Sequence, residues 1–140
     1  MLNGTDSTDC GANEVDTLTG GAGRDLFVLG DGTNAYYNTT ANGGDYAYIT
    51  DFSANLSSFD QLQLRNLTTG ATHANTVNGY LFGAQQYGVV GLANSYLYRD
   101  NGDGSVGAGD NLIAAIVASD GTGVGVALQT SDLNTIGIFV

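Results

Sequence analysis

Carboxylates set among glycines are the residues of this chain that could do chemistry. The stretch Gly20-Gly21-Ala22-Gly23-Arg24-Asp25-Leu26-Phe27-Val28 places three glycines ahead of one aspartate and a large apolar residue two positions later. Glycine lets the chain turn with φ > 0 and brings backbone carbonyls close to a bound ion. Asp25 offers a hard carboxylate oxygen, the ligand type a calcium ion takes. Nine residues earlier the pattern recurs: Gly11 falls under Gly20, Asp16 under Asp25 and Leu18 under Phe27. The chemistry to expect is therefore cation capture by turns.

The spacing G-G-x-G-x-D-x-U-x, with U a large apolar residue, resembles the hemolysin-type calcium-binding (RTX) repeat of secreted bacterial proteins. The strict motif covers residues 11–28, and a looser likeness to the C-terminal regions of that family, cyanobacterial members especially, runs over most of the chain. The resemblance implies calcium as cofactor and a short parallel β-roll whose ions lie between stacked turns on one edge. It implies Asp25 and Asp16 as ligands, with the carbonyls of Gly20 and Ala22 joining Asp25. Two repeats nine residues apart lie on opposite edges of such a roll, so each needs a partner turn about eighteen residues away. For Asp25 the downstream segment Asp45–Asp51 is the expected donor. Asp51-Phe52 followed by Asp60-Gln61-Leu62-Gln63-Leu64 resembles the D-F-x(n)-D-x-I-x-L segment that closes these rolls. That adds Asp51 and Asp60 to the expected ligands, with Asp45 beside them.

A second loop reads Asp100-Asn101-Gly102-Asp103-Gly104-Ser105-Val106-Gly107-Ala108-Gly109-Asp110. It resembles an EF-hand or dockerin loop, which wants oxygen ligands at positions 1, 3 and 5, glycine at 6 and an acid at 12. Asn101, Asp103, Gly104 and Asp110 fall at positions 3, 5, 6 and 12. Arg99 stands at position 1 and cannot ligate, so Asp100 serves in its place. The same residues also read as an ion-free Asp/Gly hairpin turn.

Composition supports cations over anions. The chain has 140 residues, 14 acids, three arginines and no lysine, for a net charge of −11. Phosphate-bearing partners would be repelled, which argues against nucleic acid and anionic membranes. Thirteen of the acids are aspartate, the carboxylate suited to tight turns. Cys10 is the single cysteine, so no internal disulfide forms. No apolar run is long enough to span a membrane and no cleavable signal stands at the N-terminus.

The elements that must position these residues read as all-β. Residues 1–140 form a single calcium-binding β domain, with the roll repeats in 1–32 and a β-rich, sandwich-like closing region in 33–140. Alternating or apolar runs predict strands at Leu26–Leu29, Tyr46–Phe52, Asp60–Leu64, Gly79–Gly83, Ser95–Arg99, Leu112–Val117 and Ile136–Val140. A short helix is expected near Thr130–Leu133, with Thr130 or Ser131 as its N-cap. Residues 33–44 and 66–79 read as surface loops, with His73 a surface residue.

No nucleophile elbow, metalloprotease helix or phosphate loop occurs, so no enzyme is expected. Three roles remain open. One is a calcium-stapled structural module, secreted or at the cell surface, alone or as a subunit of a homo-oligomer or filament. One is the secretion and folding tail of a larger RTX enzyme or toxin, with type I export signalled by Asp132 and the apolar end Ile136–Val140. The third is a carbohydrate-binding domain with Tyr36, Tyr37, Tyr46 and Tyr48 as a stacking surface. Self-association follows from an open strand edge expected before Gly11, which Ile136–Val140 of a neighbour would pair.

Overall fold

A computed structural model describes residues 1–5, 8–38, 44–55, 57–67, 73–85, 93–107 and 109–140. Among the described residues the fold is all-β apart from one short helical segment. Its strands are β1 (Val15–Leu18), β2 (Leu26–Val28), β3 (Tyr46–Ser53), β4 (Gln61–Leu64), β5 (Tyr80–Gly83), β6 (Ser95–Arg99), β7 (Asn111–Ser119) and β8 (Gly137–Phe139). A 3-10 turn, Thr130–Asp132, leads into helix α1 (Leu133–Ile136) just before β8. The expected helix is thus present, but its N-cap is Gln129, whose amide donates to the Asp132 carboxylate at 2.7 Å.

Two sheets form. One has the order β1-β3-β7-β6-β5 and the other β2-β4-β8. The chain alternates between them: β1 then β2, β3 then β4, β7 then β8. Every contact among β1, β3 and β7, and among β2, β4 and β8, is parallel. The winding makes three circuits, and β5 and β6 form an antiparallel hairpin inserted before the third and paired to β7. Each sheet mixes strands from before and after residue 32, so the roll repeats and the closing region share both sheets.

Side-chain alternation decides which face is buried. Along β3, Ala47, Ile49 and Phe52 are fully buried while Tyr46, Tyr48 and Thr50 are partly exposed. Phe27 of β2 meets Phe52 at 6.0 Å between ring centres, tying the sheets together. Leu62, Leu64, Ile116 and Leu133 complete this interior, each such side chain stabilising the fold by about 1.5–3 kcal/mol. The near-continuous apolar run of β7 fits a strand covered on both faces: Ile113, Ala114 and Ile116 join the inner core, Leu112 and Ala115 an outer cluster with Tyr96 and Tyr98.

Two expectations need correction. Residues 35–37 are not a surface loop: Ala35, Tyr36 and Tyr37 are buried, the last completely. Their hydroxyls find acceptors, Tyr37 on Asp16 at 2.7 Å and Tyr36 on Asp31 at 3.0 Å, which is how a phenol enters a core. Of the open edge expected before Gly11, β1 does stand at the end of its sheet, but the edge of β2 is covered. The Leu2 amide donates to the Leu26 carbonyl at 2.7 Å and its carbonyl accepts from Val28 at 2.8 Å, so the chain's own start covers that edge. The other end is engaged as well: Val140 donates to Leu64 and accepts from Asn66.

Candidate metal sites at the strand ends

Parallel winding stacks the turns on two edges, at opposite ends of the strands. The first edge carries the Gly20–Asp25 turn between β1 and β2, and below it the turn from β3 to β4. Asp51 reaches up from the end of β3, just before that second turn: one carboxylate oxygen accepts the Gly20 amide at 2.8 Å and the other the Gly21 amide at 2.7 Å. Asp60 closes the same turn and accepts the amides of Asp25 and Ser53, each at 2.8 Å. Gly21 and Gly23 hold φ of +85° and +116°, which the turn requires of glycine. Gly20 is needed for space, since a Cβ there would stand 2.8 Å from Asp25 Oδ2.

Asp25 Oδ2 is buried and has no hydrogen-bond partner. A buried carboxylate oxygen without a donor is costly unless something cationic or protic meets it. Burial raises the Asp60 carboxyl above its ordinary value, and the charges of Asp25 and Asp51 add to the rise against the two amides that lower it. The edge thus concentrates three carboxylates whose mutual repulsion a cation would relieve. Ala22 sits at the exposed tip of the turn.

Asp45 does not belong to this group. It is fully buried one residue before β3, whereas Asp51 lies near the other end of that strand. The expected partner for Asp25 is therefore Asp51 with Asp60, and Asp45 is corrected to the second edge. Asp16 is on that edge's side too: it pairs with Ala47, binds the Tyr37 hydroxyl and packs under Gly4, where a Cβ would come within 2.6 Å of its own.

The second edge also carries the Asp100–Asp110 loop between β6 and β7. Asp100, Asp103 and Asp110 each present a carboxylate oxygen within 4.8 Å of the other two. Asp110, fully buried, accepts the amides of Asn101 and Gly107 at 2.8 Å each. Asp100 accepts the Gly104 amide at 3.0 Å. The amide and hydroxyl of Ser105 hold Asp103 below the usual carboxylate range. Asn101 lies within the same loop, and its side-chain oxygen accepts the Asp103 amide at 3.1 Å. Sequence reasoning missed one neighbour. His73 is exposed, yet a Cβ at Gly104 would overlap its imidazole, and Gly104 holds φ of +73°. Asn75 anchors the same contact by donating to the Gly104 carbonyl at 3.3 Å. A single histidine in a polar loop carries no pattern that would have placed it there.

Comparison with protein-family models, with curated proteins and with solved structures gives no match. The RTX resemblance therefore rests on its motif alone. Among the described residues, no helix is long and apolar enough to cross a membrane.

Proposed function

We propose that this chain is a calcium-stapled structural module: a three-circuit β-roll whose turns are tied by bound calcium and which works outside the cell. The observation that carries the reading is the partnerless, buried Oδ2 of Asp25, in the turn that has the RTX spacing. The donor set suits calcium, because it is made of hard oxygens. Asp100, Asp103 and Asp110 stand within reach of one ion on the second edge. On the first, Asp25 belongs to the Gly20–Asp25 turn and Asp51 binds that turn's amides. The oxygens of Asp51 already take amide hydrogens, and a carboxylate oxygen retains a further lone pair for an ion. Bound calcium would supply positive charge that neutralises these carboxylates and links one turn to the next. An extracellular station agrees with the family resemblance and with a chain that must be stapled without disulfides.

The test is circular dichroism and melting in calcium and then in chelator. An ion that binds only the folded state at 100 times its Kd adds roughly 2.7 kcal/mol per site. The expected result is a large, reversible fall in melting temperature on chelation. An identical β spectrum and melting temperature in both solutions would overturn the proposal.

A further inference from the structure

We infer that the outer face of the five-stranded sheet, over β1 and β3, binds a neutral polysaccharide. Val15 and Thr17 of β1 stand exposed beside Tyr46 and Tyr48 of β3, and Thr17 is the direct neighbour of Tyr48. Across the next strand, Tyr48 pairs with Ala115, which is fully buried in the cluster it shares with Tyr96, so the exposed face ends at β3. Tyr46 and Tyr48 follow one another on the same face at about 6.6 Å, twice the strand rise. Both pack at one side against the cluster of Tyr96, Tyr98, Leu112 and Ala115, so the rings are held in place.

The hydroxyls separate these tyrosines from their neighbours. Tyr96 and Tyr98 spend theirs on the carbonyls of Ala93 and Ala84, at 3.1 and 2.9 Å. Among the described residues no such bond engages Tyr46 or Tyr48. Two fixed, partly exposed phenols with unspent donors lie next to the Thr17 and Thr50 hydroxyls. Rings supply an apolar surface for the C–H face of a sugar, and hydroxyls supply bonds to its edge.

Charge selects the partner. The chain carries −11 overall, yet Val15, Thr17, Tyr46, Tyr48 and Thr50 are all neutral. A nucleic acid or sulfated glycan would meet repulsion from the rest of the protein, and a basic protein would find its charge partners elsewhere. A neutral glycan gains contact area and hydrogen bonds without an electrostatic cost. The stacking surface expected from sequence is thereby revised: Tyr36 and Tyr37 are in the core, and β3 alone supplies the rings.

The experiment is affinity electrophoresis of the whole chain, in calcium throughout, through gels cast with a neutral glucan, a neutral mannan or a sulfated galactan, preceded by a neutral-glycan array. At least one neutral polymer should retard the protein. The double variant Tyr46→Thr/Tyr48→Thr keeps sheet propensity and should bind at least tenfold more weakly with its β spectrum intact. Thr17→Arg, at an exposed position, should block the same face without touching the core. Absence of any neutral ligand, retardation by the sulfated polymer alone, or full binding by Thr17→Arg would overturn the inference. So would a concentration-dependent dimer that these variants dissolve, since a second copy would then be the occupant. Chelator sensitivity plays no part in the readout, so the outcome stands apart from the calcium reading.

Discussion

The amide of Asp25 donates to Asp60 Oδ1 at 2.8 Å, across 35 residues of chain. The other oxygen of Asp60 takes the Ser53 amide, so one buried carboxylate joins the turn of the first circuit to the turn of the second. Asp60→Ala would leave two amides without acceptors. An unmet buried donor costs about 1–3 kcal/mol, and we expect a loss of about 2–4 kcal/mol in chemical denaturation. Asp60→Asn retains one acceptor oxygen and should lose roughly half as much. Equal midpoints for wild type and Asp60→Ala would show that the amides find other partners.

The same carboxylate gives the ion-free protein an unusual pH dependence. Burial raises Asp60 in the folded state, so the folded chain holds this proton more tightly than the unfolded one. Its contribution is present below the ordinary carboxylate value and is lost as pH rises through the raised one. Asp31, held low by the amides of Asn34 and Thr33, and Asp103, held low by Ser105, act oppositely. Their contribution is lost as pH falls through their depressed values. Stability in chelator should therefore peak near the ordinary carboxylate value, about pH 4, and decline towards neutrality. Calcium should reverse the neutral limb, since its ligands must be ionised. Melting temperatures from about pH 3 to about pH 8 in chelator and in calcium are the check. Asp60→Asn should flatten the neutral limb in chelator; a limb that keeps its slope in that variant would assign the effect elsewhere.

Much of this was legible in the chain itself. Strict alternation around Ile49 and around Leu62 located β3 and β4, and the apolar run from Leu112 located β7, because burial on one or both faces writes itself into the residue order. The nonapeptide marked the turn at Asp25 because glycine is needed where a φ of +85° or +116° must be held. What could not be read was long range. Tyr36 and Tyr37 sit in a polar stretch, and only the fold supplies the Asp31 and Asp16 acceptors that let them in. Nor does sequence say that Asp45 and Asp51 mark opposite ends of one strand and so serve opposite edges, or that Leu2 pairs with Phe27.

Ions at the two edges should be independent. Asp51 and Asp45 are separated by most of β3, a distance of about 20 Å at 3.3 Å per residue, beyond the range where effects on stability couple. Asp25→Ala should lower the number of bound calcium ions while leaving the Asp100–Asp110 loop loaded. Asp103→Ala should do the converse, and the double variant should lose the sum. Equilibrium dialysis with metal analysis reads this directly. A full complement of calcium in Asp25→Ala would remove that residue from the ligand set, and a total loss in either single variant would mean one coupled site.

The start of the chain offers the sharpest steric test. Gly4 lies over Asp16 so closely that a Cβ would stand 2.6 Å from the Cβ and Cγ of that side chain. Asp16 cannot simply swing away, because its carboxylate holds the hydroxyl of the fully buried Tyr37 at 2.7 Å. Gly4→Ala must therefore either push the N-terminal segment outward, breaking the Leu2 bonds to Leu26 and Val28, or break the Tyr37 bond. Overpacking of this kind costs about 1–3 kcal/mol. Gly32 provides the control: a Cβ there meets nothing within 4 Å and its φ is not positive. Gly32→Ala should be neutral or slightly stabilising, by up to about 1 kcal/mol through the unfolded chain. Hydrogen exchange should show which bond yields, with the Leu2 and Val28 amides losing protection if the segment lifts. Equal stability of Gly4→Ala and Gly32→Ala, with those amides still protected, would show that the N-terminal cover contributes nothing to the fold.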